Sequence, residues 1–151
     1  MTLKDSAPLG DFYEHLEIVD AIKGLRYRLN VVGSVRGEVH AIPRVLDYGE
    51  INQNTRDKND IVVLHSRNNY SQISILSINI SESISPFVSA ELDTEDKSKL
   101  NVRLSSRNYD GTWTTSEISG SLMVSYIDRQ EQIFFINIPV RFHMRLERVL
   151  N

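Results

Sequence analysis

Four histidines, His15, His40, His65 and His143, are the first side chains to weigh for chemistry. No two of them lie three to five residues apart, and no His-Glu-x-x-His pattern occurs, so the spacing offers no paired metal ligands on one helix face. Serines are numerous, Ser34, Ser66, Ser77, Ser105 and Ser121 among them. None stands in a Gly-x-Ser-x-Gly elbow, and no glycine-rich loop is present to cradle a phosphate. The chain has no cysteine, which removes disulfides, thiolate zinc ligands and cysteine nucleophiles together. The best cation candidate is acidic. Asp93 and Asp96 in the run Glu91-Leu-Asp-Thr-Glu-Asp96, with Asp128 from a second turn, could converge on calcium, which takes several oxygen ligands. The competing reading is a pair of solvated turns neutralised by Lys97, Lys99 and Arg129.

The other chemical feature is aromatic. Arg107-Asn-Tyr-Asp-Gly-Thr-Trp113 holds the only tryptophan. Trp113, Tyr109 and Arg107 suit a protein contact, because aromatic and arginine side chains dominate interface hot spots. The same Trp113 and Tyr109 could instead serve as stacking platforms for a sugar, or Trp113 could fold back and plug the core. No catalytic residue and no cofactor emerge, and the reading is of a protein that is not an enzyme.

The elements that must carry these residues are strands. Gly120 to Phe142 reads as two β-branched and aromatic runs around the polar break Asp128-Arg-Gln-Glu131, a long antiparallel hairpin. Further strands are expected at Val45–Tyr48, Asp60–His65, Ile73–Ile80, Phe87–Leu92 and Leu100–Leu104. The parity of the apolar residues changes within Ile73–Ile80, which predicts a bulge near Leu76. Short, evenly spaced strands separated by Gly, Asn, Asp and Ser argue for a β-sandwich or barrel. Seven of them fall between residues 39 and 140. Ahead of them, residues 6–24 read as a helix capped by Ser6, with Phe12, Leu16, Val19 and Ile22 along one side, although Leu16–Val19 also fits an extended strand. Residues 25–35 alternate in a strand pattern.

Length and composition bound the rest. A chain of 151 residues can bury a core without covalent staples. Its net charge of -3 gives no field for nucleic acid. No run is long and apolar enough for a membrane-spanning helix, and no signal peptide opens the chain. The cellular location stays unknown.

Pro43-Arg-Val-Leu-Asp-Tyr-Gly-Glu-Ile51 resembles the opening motif of the Hydin-like and major-sperm-protein-like immunoglobulin-like domains and their bacterial relatives of unassigned function. Pro43, Leu46, Asp47, Tyr48, Gly49 and Ile51 carry the likeness. Ile136-Asn-Ile-Pro-Val140 resembles the closing strand of the group, and Gly120 fits its place before the preceding strand. The cysteine pair of many bacterial relatives is replaced by Ser81-Glu-Ser-Ile-Ser-Pro86, so anything depending on it does not transfer. The resemblance implies an all-β, immunoglobulin-like, seven-stranded antiparallel β-sandwich over residues 39–142. An appendage over residues 1–38, helical or extended, would precede it, and a tail over residues 143–151 would follow. The implied role is a structural or protein-interaction module that recognises a partner, most simply a protein, through an exposed strand edge or end loops. The alternative is a carbohydrate-binding module.

There is also an internal echo. Leu29-Asn-Val-Val resembles Ile136-Asn-Ile-Pro at an offset of 107 residues. Either alternating strands simply look alike, or residues 25–35 are the last strand of an earlier, truncated repeat.

Overall fold

A computed structural model describes residues 7–52, 54–67, 73–106 and 116–145. All of the regular structure in those residues is extended, in ten strands. The first two, β1 (Leu9–Val19) and β2 (Arg26–Val35), form a hairpin. Eight more follow: β3 (Val39–Ile42), β4 (Leu46–Ile51), β5 (Lys58–Ser66), β6 (Ser74–Ile80), β7 (Val88–Leu92), β8 (Lys99–Leu104), β9 (Ser116–Ile127) and β10 (Ile133–Met144).

Two sheets stack. One has the order β3-β5-β8-β7 and is antiparallel throughout. The other runs β2-β1-β10-β9-β6, with β4 pairing the far half of β10 in parallel. Alternation explains the stacking. Val62 and Leu64 of β5 and Leu100, Val102 and Leu104 of β8 point inward from one sheet. Leu122, Val124 and Tyr126 of β9 and Ile136, Ile138, Val140 and Phe142 of β10 meet them from the other. All are buried, and each large aliphatic side chain so placed contributes roughly 1.5–3 kcal/mol. The protein is therefore an all-β, two-sheet sandwich. The chain passes from the first sheet to the second between β3 and β4, across a cis Ile42–Pro43 peptide.

Two sequence details are explained by the ladders. The register of β6 against β9 slips between Ile75 and Ser77, leaving Leu76 as the bulge residue that the parity change predicts. Pro139 lies within a central strand, where proline is normally excluded. Its partner Ser121 turns both backbone groups the other way: the Ser121 carbonyl accepts from Ser81 N–H, and the Ser121 N–H donates to Ser81 Oγ. On its second flank, β10 changes partner from β1 at Asn137 to β4 at Val140. Proline's missing N–H thus removes no ladder bond.

The helix expected over residues 6–24 is corrected. Residues 9–19 are strand β1, paired residue for residue with β2 from Gly10↔Val35 to Val19↔Arg26. A solitary helix with one apolar stripe needs a surface to cover that stripe, since tertiary packing supplies most helical stability. Pairing with β2 instead satisfies the backbone groups directly. The last strand runs to Met144, which is fully buried at its end.

Candidate functional site

The β1–β2 hairpin is the most unusual feature, because most of it does not belong to the sandwich. Only Leu9↔Ile136 and Gly10↔Asn137 pair β1 with β10. Beyond that point the hairpin leaves as an arm. Three contacts fix its root. Gly10 takes a left-handed conformation (φ +105°), and a Cβ there would collide with the Asn137 carbonyl, so only glycine fits. Asn137 Nδ2 donates to the Asp11 carbonyl at 2.8 Å, replacing the ladder bond lost where the strands part. The Phe12 ring lies over its cross-strand partner Gly33, filling the space a side chain would occupy.

At the tip, the Asp20 carboxylate accepts from Ile22 N–H at 2.9 Å and Lys23 N–H at 3.1 Å. Gly24 supplies the left-handed residue that closes the turn.

The arm has two unlike faces. Phe12, Leu16 and Ile18 of β1 share one with Tyr27, Leu29 and Val31 of β2, in the pairs Leu16↔Leu29 and Ile18↔Tyr27. Those four residues are about half exposed, at 51–53%. An exposed apolar face of this kind marks an interaction surface in a folded protein. The other face mixes Tyr13, Val19 and the exposed Val32 with His15, Glu17, Arg26 and Arg28, and holds an Arg26–Glu17 ion pair at 3.2 Å.

This second face looks across a cleft of about 800 Å³ to the outer side of β9 and β10. Tyr13, His15 and Arg28 form one wall, and Glu117, Ser119 and Arg141 the other. Arg141 lies 5.9 Å from the centre of the Tyr13 ring and pairs with Asp47 at 2.8 Å. The Asp47 carboxyl is held below its ordinary range, first by the Gly49 N–H and then by Arg141. The floor serines are committed: Ser81 Oγ accepts from Ser121 N–H, and Ser83 Oγ donates to the Ser119 carbonyl. The cleft suits polar contacts better than nucleophilic chemistry.

The sheet edges separate the arm from the rest. Long regular edges invite pairing with another chain, and natural proteins shorten, bend or charge them. Strand β3 has four residues and β7 five. Strand β6 is bulged at Leu76, and β4 is turned by Gly49 (φ +64°) where its register against β10 slips. Strand β2 has ten residues in unbroken register, with no proline and with its charges, Arg26 and Arg28, confined to one end. Its outer flank has no strand partner among the described residues.

The sequence candidates fall as follows. Arg107, Tyr109 and Trp113 lie outside the described residues. Asp93 and Asp96 sit in the β7–β8 turn and Asp128 in the β9–β10 turn. The Ile75 N–H bonds to the Lys97 carbonyl, and Ser74 pairs with Ile127, which brings both turns to the same end of the sandwich. Each carboxylate there works within its own turn. Asp93 accepts from Glu95 and Asp96 N–H, Asp96 from Ser98 N–H and Oγ, and Asp128 from Gln130 and Gln132 N–H. Asp96 also pairs with Lys99 at 3.0 Å. Hydrogen bonds from Ser98 first, then Lys99, hold its carboxyl at about 2. No cluster of three or more metal-ligating side chains occurs among the described residues.

His40 and His65 face each other across the β3–β5 pair at 5.5 Å. His40 Nδ1 is buried without a hydrogen-bond partner among the described residues. Burial, then His65, Arg44 and Arg67, lower its pKa. His143 is an exposed strand residue opposite Glu117. The arm is what sequence reasoning missed. Its signal was the period-two pattern Leu16, Ile18 against Tyr27, Leu29, Val31, obscured by the competing period of Phe12, Leu16, Val19 and Ile22.

No family model and no curated protein matches this chain. A solved structure of a protein of unknown function from Porphyromonas gingivalis W83 aligns over 93% of the chain and 69% of its own length, at 13% identity and a TM-score of 0.41. At that TM-score the likeness carries no inference about fold or function.

Proposed function

We propose that this protein is a non-catalytic interaction module, an immunoglobulin-like sandwich that engages a partner protein through its β1–β2 arm. The strand order supports the immunoglobulin-like reading. With β3, β5, β7 and β8 taken as A, B, D and E, and β6, β9 and β10 as C, F and G, the sheets have the ABED and CFG memberships of that fold. The observation that carries the functional reading is β2 itself, a ten-residue edge in unbroken register beside a row of half-exposed apolar side chains. Strand addition at such an edge draws affinity from main-chain hydrogen bonds and selectivity from alternate side chains.

The test is site-specific photocrosslinking in the native host, with the crosslinker at Asn30 or Val32 of β2 and, for comparison, at Ser89 of β7. The reading expects a discrete adduct from the β2 positions that disappears with Leu29→Lys, and none from Ser89. Equal adducts from both strands, or none from β2, would overturn it.

A further inference from the structure

The two hairpins of this protein are built alike. Asp20 opens the β1–β2 turn and Asp128 the β9–β10 turn, each immediately after the last cross-strand pair, Val19↔Arg26 and Ile127↔Ile133. In each, one aspartate oxygen accepts two backbone N–H groups of the turn: Ile22 and Lys23 in the first, Gln130 and Gln132 in the second. Each turn ends on a left-handed residue, Gly24 (φ 66°) or Glu131 (φ 59°).

The correspondence extends up both strands. Leu16↔Leu29 matches Val124↔Ile136, and Ile18↔Tyr27 matches Tyr126↔Phe134. Further from the tip, Phe12↔Gly33 matches Gly120↔Val140, a glycine facing a large side chain in both. Asn30 stands where Asn137 does. The face of β9–β10 that corresponds to the arm's apolar face is the one packed into the sandwich core. Glu14, in the place of Leu122, is the one charged departure within these pairs.

The flanks correspond as well. In the sandwich, residues 122–127 of β9 receive strand β6. The matching residues of β1, 14–19, pair on one side with β2, and β10 takes only Leu9 and Gly10 on the other. The arm thus has an open flank where β9 has its neighbour.

We infer that the β1–β2 arm is the closing hairpin of a second β-sandwich, whose remaining strands, of the β3–β8 kind, come from outside the described residues. The inference rests on the interaction-module reading and specifies its partner. Two layers are needed to shelter an apolar sheet face, and the duplicated hairpin says what the second layer is. Size is consistent. Leu16, Ile18, Leu25, Tyr27 and Leu29 are each 48–53% exposed. At about 100 Å² apiece they offer roughly 500 Å², and with an equal area from the partner the contact reaches about 1,000 Å², the lower bound for a specific interface.

The test uses the whole chain and a defined probe. The probe is a tagged polypeptide of residues 37–106, which supplies the equivalents of β3–β8 without a closing hairpin, co-expressed with the chain. The whole chain is expected to co-purify with it. The double variant Leu16→Lys/Leu29→Lys, whose sandwich unfolds at the unchanged temperature, is expected to retain at least ten-fold less. Absence of co-purification with a probe that does retain residues 116–145, its own closing hairpin supplied as a separate polypeptide, or equal retention by the double variant, overturns the inference. So does sedimentation showing that the chain alone is a dimer which the double variant abolishes, since the face then belongs to a second copy. If the probe fails while the β2 crosslinks persist, this inference falls and the interaction-module reading stands.

Discussion

Asn137 and Asp11, 126 residues apart, are joined by a 2.8 Å hydrogen bond from the Asn137 side-chain amide to the Asp11 backbone carbonyl. It sits where β1 leaves β10, so it governs the root of the arm without contributing to the core. Asn137→Ala should raise amide exchange in β1 by several-fold, since one such bond is worth about 1 kcal/mol net. Amides of β5 and β8 should exchange as before. Equal acceleration in both regions would show that arm and sandwich open together.

Gly10→Ala should act more strongly at the same place. The substituted residue must hold φ near +105° and push its Cβ against the Asn137 carbonyl. The expected outcome is loss of the Leu9↔Ile136 and Gly10↔Asn137 pairing, read as loss of their cross-strand NOEs, with the Tm of the sandwich lowered only slightly.

Core and arm should respond oppositely to truncation. Leu122 and Ile138 are fully buried, and alanine at either should cost about 2–5 kcal/mol in denaturant unfolding. Leu29 is half exposed, so Leu29→Ala should stay within about 0.5 kcal/mol. A large loss from Leu29→Ala would mean that the arm packs on the sandwich.

Acid should weaken the fold through the β7–β8 turn. Hydrogen bonds hold the Asp96 carboxyl at about 2 and depress that of Asp93. A carboxyl depressed in the folded state adds stability above its unfolded pKa of about 4 and loses it as pH falls through the folded value. The Tm should therefore decline between about pH 4 and pH 2. Asp96→Asn should flatten that decline by lowering the plateau near neutrality, with the two proteins converging towards pH 2.

His40 adds a milder dependence. Burial first, then His65 and the two arginines, pushes its pKa below 6.5, so the unfolded chain binds the proton more readily. Its contribution is complete above pH 6.5 and diminishes as pH falls from there through the lowered folded value. His40→Gln should remove the slope in Tm between about pH 7 and pH 5. An NMR titration of the His40 ring at or above the ordinary histidine value would refute the assignment.

Much of the sandwich is legible in the residues because each strand encodes its own face. Leu100, Val102 and Leu104 alternate with polar neighbours, and all three are buried. The change of parity at Leu76 marks the bulge for the same reason. The region before Gly24 was less decidable. Phe12, Leu16, Val19 and Ile22 satisfy a helical period, while Leu16 and Ile18 satisfy a period of two, and local spacing cannot choose between them. The choice fell to β2, whose matching alternation offers each β1 residue a partner. Asp93, Asp96 and Asp128 were legible as turn residues, but whether their oxygens would face a cation or their own turn amides depends on backbone conformation.

Side-chain alternation and turn chemistry belong to neighbours in the chain, and the sequence alone determined them: an all-β protein, its principal strands and its long closing hairpin. Which edge stays open, which apolar face stays uncovered and which hairpins are alike depend on partners far away in the chain. Those were decided only in three dimensions, by Asn137 meeting Asp11, by Gly10 meeting β10, and by the core covering one hairpin and leaving the other bare.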